Sequence, residues 1–284
     1  MDYKIAEFRP EDLEEFACRI KGTYYEQGAF IVRNLFNDED IAPPLLFLDK
    51  CVSLLERKEG LFDQINKIDQ YSLTARIRAL MSIDPGYQSI IYDSISQSPE
   101  MHACASSQKT INVIQAIFGK NIMLNPRLVL IMSLPRESWH LARWHQDYFY
   151  NWGPKDSCTL YAPLQKTNQS NGGLRLAIGS HLQGELPHVD EEGGSDRSKW
   201  KSICGDYIDN MSNVVDVNLE KGDALFFHSL IAHSPRVNKS SSARFVLNFR
   251  YQNMNDINFV QNGWRIAYNK EAREALSRKN ETTS

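Results

Sequence analysis

Residues 244–251 read Arg-Phe-Val-Leu-Asn-Phe-Arg-Tyr, and their alternation is the strongest indication of the architecture. Successive side chains of a β-strand point to opposite faces, so this pattern predicts a strand with two unlike faces. One face carries Phe245, Leu247, Phe249 and Tyr251 and is expected to pack against helices. The other face carries Arg244, Val246, Asn248 and Arg250. A barrel that holds a charged small molecule would have such an interior.

The rest of the chain places this strand at the end of a β-rich half that follows a helical half. Helices are predicted over residues 10–20, 45–59 and 109–118, with a short strand at 29–32. In the second helix, the expected core residues are Leu46, Cys51, Leu54 and Leu55. Further strands are predicted over 127–134, 158–164, 174–178, 214–219 and 224–227. We therefore expect a mixed α/β protein whose all-β core is a double-stranded β-helix, a jelly-roll or cupin-like barrel, flanked by N-terminal helices.

No composition shift suggests more than one domain. The sequence predicts a single domain over 1–284, with a mainly helical flank at 1–120, the jelly-roll core at 121–252 and a C-terminal segment at 253–284.

A candidate metal site comes from three residues. His145 and Asp147 are two positions apart, and His233 lies far downstream. Residues i and i+2 of a strand project from one face, so the first two could hold one ion together. A histidine from a distant strand would complete two imidazoles and one carboxylate on one side of a metal. That set leaves the other side open, which suits non-haem Fe(II) and its oxygen chemistry.

Arg244 is a candidate binding residue for a cosubstrate of the same metal site. It follows His233 by eleven residues, on a strand that could run back past the metal. A guanidinium can hold a carboxylate through two parallel hydrogen bonds. The sequence thus predicts a site for a dicarboxylate cosubstrate beside the metal.

In order and spacing, these motifs resemble the phytanoyl-CoA dioxygenase family of Fe(II)/2-oxoglutarate-dependent oxygenases. The stretches that carry the resemblance are 144–147 (Trp-His-Gln-Asp), 172–174 (Gly-Gly-Leu), 179–181 (Gly-Ser-His), 221–228 (Lys-Gly-Asp-Ala-Leu-Phe-Phe-His) and 233–244. The resemblance covers roughly the whole chain. It implies Fe(II), 2-oxoglutarate and O2 as cofactor and cosubstrates, and hydroxylation with succinate and CO2 as coproducts.

The resemblance also implies roles for individual residues. His145, Asp147 and His233 match the metal ligands of the family, and Arg244 matches the arginine that binds the distal carboxylate of 2-oxoglutarate. Tyr161 falls where many members place an aromatic residue beside the cosubstrate. Because Asp147 is retained where related halogenases have a small residue, the chain is expected to be of the hydroxylating or desaturating type.

Three departures from the family pattern concern the surroundings of these residues. Pro235 stands where relatives often have a serine, and Leu134 where they often have a lysine; both substitutions put secondary 2-oxoglutarate contacts in doubt. Ile178 replaces the proline that usually precedes Gly-Ser-His.

Six further residues are candidates for contact with the substrate: Tyr148, Tyr150, Trp152, Asn248, Arg250 and Arg127. The aromatic residues follow the metal pair and could wall the site, or they could simply pack the rim of the barrel. Alternation assigns Asn248 and Arg250 to the inner face, although it does not fix their depth. For Arg127 a surface position is the favoured interpretation.

The composition and the first residues of the sequence indicate which binding partners and which cellular location to expect. A net charge of −3 gives no reason to expect nucleic acid or an anionic membrane as a partner. The five cysteines are scattered without a Cys-x-x-Cys pair, so neither disulfides nor a thiolate metal site is indicated. The first residues lack the apolar core of a signal peptide, and a cytoplasmic location is expected. Nothing in the sequence reports the oligomeric state.

The sequence therefore predicts an Fe(II)/2-oxoglutarate oxygenase that hydroxylates a polar small-molecule metabolite or natural-product intermediate. No pantetheine- or adenine-binding pattern is present, so a coenzyme A thioester is not favoured. Two alternatives stay open at this point. One is a non-catalytic jelly-roll that binds a metabolite, and the other is the same fold with a different metal, such as Zn or Mn.

Overall fold

A computed structural model of the chain describes residues 4–13, 15–61, 70–137, 141–151, 153–190 and 201–257. The helices in these ranges are α1 (Ala17–Gln27), α2 (Asp38–Lys58), α3 (Gln70–Ile83), α4 (Tyr87–Ser96), α5 (Pro99–Ala105), α6 (Gln108–Phe118) and α7 (Gly205–Asp209). All but α7 lie before residue 120, as the sequence predicts. Within the described ranges, no helix is long and apolar enough to cross a membrane.

The strands lie mostly in the second half of the chain. They are β1 (Ala6–Phe8), β2 (Ala29–Val32), β3 (Ile122–Leu124), β4 (Val129–Ser133), β5 (Ser157–Pro163), β6 (Leu174–Ala177), β7 (His188–Asp190), β8 (Lys201–Ile203), β9 (Val214–Asp216), β10 (Ala224–His228), β11 (His233–Pro235) and β12 (Arg244–Asn253). The protein is thus mixed α/β with a β-rich second half, in agreement with the predicted class.

Two sheets face each other across an apolar interior. The larger has seven strands in the order β1-β2-β10-β5-β12-β3, with β4 also paired to β12, and the smaller has the order β11-β6-β9. One buried cluster draws on both sheets: its members include Ile31, Tyr161, Leu225 and Val246 from the larger and Leu174 and Leu176 from the smaller. The helices cover the other face of the larger sheet.

The alternation predicted for the last strand is confirmed. Phe245, Leu247, Phe249 and Tyr251 all belong to the core shared with the helices. Val246 belongs instead to the cluster between the sheets. Strand β12 therefore separates the helix-packed core from the interior, and its polar face lines that interior.

The predicted boundaries of the first helix are wrong. Residues 10–12 form a 3₁₀ turn, and α1 begins at Ala17 and continues to Gln27. The helix runs on past Gly22 because Thr23 and Tyr24 extend its buried face. A helical glycine costs only about 1 kcal/mol relative to alanine, and this burial outweighs it. Gly28, with φ of 81°, ends the helix in the left-handed conformation.

The predicted buried face of α2 is wrong in part. Leu55 packs against the core from a partly buried position and Cys51 is half-buried, but Leu46 and Leu54 are 53% and 55% exposed. The buried residues are Ile41, Pro44, Leu48, Val52 and Glu56. Glu56 can lie on this face because it accepts a hydrogen bond from Arg76 of α3 at 2.7 Å. A buried charge with a partner on another helix is invisible to hydrophobic periodicity.

Gly222 is required by the turn that leads into β10. Its φ is 92°, and a Cβ at this position would overlap the carbonyl oxygen of Phe36. We expect Gly222→Ala to lower the free energy of unfolding by roughly 2 kcal/mol, because both the backbone strain and the contact with a backbone atom are unfavourable. Urea unfolding of the purified variant measures this.

Gly22→Ala is the matched control for Gly222→Ala. A Cβ at Gly22 would meet nothing within 4 Å, and the residue lies inside α1. This variant is expected to be more stable than the wild type, by up to about 1 kcal/mol. Equal effects of the two substitutions would contradict the assigned backbone conformation of the turn.

Candidate metal and cosubstrate site

Two histidines meet through a backbone bridge. The N–H of His145 donates to the carbonyl oxygen of His233, and the N–H of His233 donates back, each at 3.0 Å. Each ring holds its Nδ1 within hydrogen-bonding distance of a backbone carbonyl, of Arg143 at 2.7 Å and of Ile231 at 3.0 Å. With the Nδ1 hydrogens engaged in this way, both Nε2 lone pairs are left for a metal.

The structure corrects the local geometry that we inferred for His145 and Asp147. They do not share a strand: His145 forms only an isolated bridge, and Asp147 starts the 3₁₀ turn Asp147–Phe149. The carboxylate still faces the imidazoles, with its Oδ1 at 3.9 Å from His145 Nε2 and 3.8 Å from His233 Nε2. The three ligand atoms all lie within 4.8 Å of one another, and all three residues are buried. In the described part of the chain, this is the only such group of three or more potential ligands.

Two side chains from the larger sheet hold Asp147. The hydroxyl of Thr159 on β5 donates to its Oδ2 at 2.6 Å. From β12, Arg250 donates through Nε to the same oxygen at 3.2 Å and through Nη2 to Oδ1 at 3.3 Å. Thr159 and Arg250 are cross-strand partners, which explains why they reach one carboxylate.

The charges of the three residues suit metal binding. Burial, helped by the neighbouring His233, lowers the pKa of His145 to about 3. Burial also lowers the pKa of His233. For Asp147, burial alone would raise the pKa, but Arg250 and the two imidazoles outweigh it and hold the pKa well below its usual range. The site therefore presents two neutral imidazoles and one carboxylate, the protonation states in which these groups bind metals.

Arg244 and Tyr161 lie on the same inner face, further along the sheet. Nη1 of Arg244 donates to the hydroxyl oxygen of Tyr161, while its buried Nε has no hydrogen-bond partner among the described residues. Burial raises the pKa of Tyr161, although Arg244 opposes this shift, so the phenol stays neutral. Arg244 thus offers a positive charge and an unused donor to the interior.

Of the residues predicted to contact the substrate, some lie at the site and others do not. Tyr150 packs edge-on against the His145 ring at 5.3 Å, and Tyr148 lies half-buried in the 3₁₀ turn. Asn248 lies on the inner face between Arg244 and Arg250, whereas Arg127 is exposed near α4 and is not brought to the site. Trp152 lies outside the described residues.

Sequence reasoning missed Thr159 and His188. Thr159 alternates with Tyr161 along a strand that was predicted, so its inward direction could have been inferred. His188 accepts a hydrogen bond from the backbone N–H of Gln146 and stacks on Phe149, which braces the turn that carries Asp147. No signal in the sequence indicates this role, because it depends on a contact across 42 residues.

Thr159→Val tests the support of Asp147. Valine keeps the shape of threonine and removes the hydroxyl, so we expect Fe(II) affinity to fall by about tenfold with the protein still folded. Calorimetric titration of metal-free protein under nitrogen measures this. Thr167→Val, a second buried threonine whose hydroxyl donates only to a backbone carbonyl, is the control. An equal loss in both variants would show that Thr159 acts on stability alone.

Comparisons with known proteins are consistent with this geometry. The model of the phytanoyl-CoA dioxygenase family matches residues 24–246. Human peroxisomal phytanoyl-CoA dioxygenase is 24% identical over 238 residues, which cover 78% of this chain and 64% of that protein. The 1-deoxypentalenic acid 11-beta-hydroxylase of Streptomyces arenae is 31% identical over 140 residues, covering 46% of this chain and 48% of the relative. The chain thus spans about half to two thirds of the length of these relatives.

Among solved structures, the apo form of the non-heme monooxygenase ThoJ resembles this chain with a TM-score of 0.59. The two sequences are 18% identical, and the match covers 83% of this chain and 78% of that one. At this identity the likeness concerns the fold.

Proposed function

The chain belongs to the phytanoyl-CoA dioxygenase family, and from this premise we propose that it is a non-haem Fe(II)/2-oxoglutarate-dependent oxygenase that hydroxylates a polar small molecule. The observation that carries the proposal is the convergence of three buried side chains, His145, Asp147 and His233, in one interior with Arg244. The coproducts would be succinate and CO2.

The residues present fit the iron and the cosubstrate. Two imidazoles and one carboxylate on one side of an ion form the ligand set of non-haem Fe(II) oxygenases. His145, Asp147 and His233 would hold the metal. Arg244 would hold the far carboxylate of 2-oxoglutarate, since its buried Nε has no partner among the described residues and its positive charge needs a counterion.

We propose that the two sheets are the walls of a double-stranded β-helix and that the whole chain is one oxygenase domain. The apolar cluster shared by the sheets supports the first part. The span of the family match, which includes helices as well as strands, supports the second. His233 of β11 and Arg250 of β12 would then face each other across the barrel at Asp147.

When bound, Fe(II) with 2-oxoglutarate and O2 supplies the oxidative decarboxylation of the cosubstrate and the oxidation of the substrate. The chain's own residues provide placement and protection. Thr159 and Arg250 fix the carboxylate of Asp147, and the backbone carbonyls behind His145 and His233 fix the two rings. Apolar neighbours such as Phe227, whose ring lies 4.8 Å from that of His233, would keep water away from the reacting atoms.

A polar metabolite or natural-product intermediate is the proposed class of substrate. Its support is the similarity to the 1-deoxypentalenic acid 11-beta-hydroxylase of Streptomyces arenae, whose name gives a small organic acid as the substrate.

The test is an anaerobic titration of metal-free protein with Fe(II) and then with 2-oxoglutarate, followed through the weak visible charge-transfer absorption of the chelate. We expect the band to form in the wild type. Arg244→Met should leave Fe(II) affinity unchanged and weaken 2-oxoglutarate binding by about 100-fold, because a charged, buried hydrogen-bonding partner is lost.

Arg127→Met is the matched control, since Arg127 is exposed and lies away from the site. It should bind 2-oxoglutarate as the wild type does. Absence of the band in wild-type protein would overturn the proposal and favour a binding protein or a different metal. Succinate release after oxygen is admitted would separate an enzyme from a protein that only binds both ligands.

A further inference from the structure

A hydroxyl group of helix α3 holds the start of β12. Thr74 accepts a hydrogen bond from the backbone N–H of Ala243 at 2.8 Å, across 169 residues of sequence. Both residues are buried, at 3% and 0% exposure. Ala243 directly precedes Arg244, the first residue of β12. The contact therefore fixes the backbone beside the arginine that would bind 2-oxoglutarate.

The sheet gives this end of β12 little support on one side. The register with β5 ends at Val246, whose partner Pro163 has no N–H to donate. One residue earlier, the N–H of Phe245 donates to the side-chain oxygen of Gln165 at 3.2 Å instead of to a carbonyl group of a strand. Arg244 thus lies beyond the end of this ladder, and the ends of elements are the parts of a protein that open most easily.

On the other side, the start of β12 pairs with an edge strand. Arg244 is the partner of Ser133 of β4, and among the described strands β4 pairs with β12 alone. Tyr92 of α4 binds this strand: its hydroxyl accepts from the N–H of Met132 at 2.8 Å and donates to the carbonyl oxygen of the same residue at 3.2 Å. Side chains of α3 and α4 thus complete the hydrogen bonding around Arg244, where the ladder of the sheet is incomplete.

We propose that Thr74 is a positioning residue for the cosubstrate: its hydroxyl fixes the backbone before Arg244 and thereby directs the guanidinium to the far carboxylate of 2-oxoglutarate. This inference rests on the proposed function. A guanidinium binds a carboxylate through two parallel hydrogen bonds, and each depends on position to within a few tenths of an ångström. Without the Thr74 hydroxyl, the N–H of Ala243 would lose its buried acceptor, so the backbone would move toward another partner and carry Arg244 with it.

Thr74→Val tests the proposal, because valine keeps the shape of threonine and removes the hydroxyl. Each variant is loaded with Fe(II) under nitrogen and titrated with 2-oxoglutarate, and the chelate band is the readout. We expect Thr74→Val to weaken 2-oxoglutarate binding by about tenfold with Fe(II) affinity unchanged. Thr74→Ser retains the hydroxyl and should bind 2-oxoglutarate nearly as the wild type does.

Two comparisons separate the positioning of Arg244 from a general loss of structure. 2-Oxopentanoate keeps the chelating head of the cosubstrate and lacks the far carboxylate, so Thr74→Val should bind it like the wild type. In the Arg244→Met background, Thr74→Val should cause no further loss of 2-oxoglutarate binding, since the two residues act as one unit. Thr110→Val is the control and should bind both acids as the wild type does. Thr110 is also buried in a helix, and its hydroxyl contacts Ser107 and Cys104, where α5 leads into α6.

The outcomes distinguish this inference from the proposed function. If wild-type protein forms the band but Thr74→Val binds 2-oxoglutarate with wild-type affinity, this inference is wrong and the proposed function stands. An equal loss for 2-oxopentanoate, or an equal loss in the Arg244→Met background, would also overturn the inference, because the hydroxyl would then act on the whole site and not through Arg244. If wild-type protein forms no band, the proposed function fails and this inference fails with it.

Discussion

His233→Ala is expected to abolish Fe(II) binding, with affinity reduced by more than about 100-fold. Loss of an outer partner of a metal ligand already costs 10–100-fold in typical sites, and here a ligand itself is removed. The remaining pair, His145 and Asp147, would leave the ion bound by only two groups. Isothermal titration of metal-free protein with Fe(II) under nitrogen measures the change. No chelate band should form with 2-oxoglutarate.

The control for His233→Ala is the substitution of another histidine. His102 is exposed on α5 and lies outside the ligand group, so His102→Ala should bind Fe(II) like the wild type. His233→Ala that still binds Fe(II) with wild-type affinity would refute the ligand assignment. The backbone bridge between residues 145 and 233 does not depend on the imidazole, so the variant is expected to fold.

Phe249→Ala is expected to lower the free energy of unfolding by about 3–5 kcal/mol, which is the usual cost of removing a fully buried phenylalanine. Phe249 is 0% exposed and belongs to the core between the larger sheet and the helices. A typical domain is stable by only 5–15 kcal/mol, so this is a large share of the total. Urea unfolding followed by circular dichroism measures the loss.

Two other variants are the controls for Phe249→Ala, and the first is on the same strand. Asn248, the preceding residue, points to the opposite face, so Asn248→Ala should lower the free energy of unfolding far less than Phe249→Ala, because it removes no apolar side chain from the helix-packed core. Tyr207→Ala, at an aromatic residue that is 43% exposed, should leave the unfolding midpoint within the range of ordinary surface substitutions. If Phe249→Ala were as stable as wild type, the assignment of the two faces of β12 would be wrong.

Local pattern was sufficient for the longer strands and for the three candidate metal ligands, but it did not predict the short strands β1, β3, β7, β8 and β11. The predicted strands at 158–164, 174–178, 224–227 and 244–251 each overlap the observed strand to within two residues at either end. Side chains of a strand alternate with a period of two residues, so a strand with one buried face can be recognised from a short stretch of sequence. The residues that we named as ligands lie together in the structure, because their types and order carry a chemical signature that does not depend on exact backbone geometry.

Helix boundaries and faces were less predictable, and α2 shows why. Its apolar residues are spread around the helix, so periodicity does not single out one face. The observed face is selected by neighbours: Glu56 is buried because Arg76 of α3 reaches it. Such a partner lies on another helix, and the local sequence contains no trace of it.

The sequence by itself determined the class of the fold, the alternation of β12 and the identity of the candidate ligands, since each of these is encoded in residue type and short-range spacing. The support of the site depends on the tertiary structure. Thr159 and Arg250 reach Asp147 from two adjacent strands, and His188 braces its turn from a third place in the chain. These contacts require the sheet to bring distant residues within hydrogen-bonding distance, and hydrogen bonds depend on position to within a few tenths of an ångström.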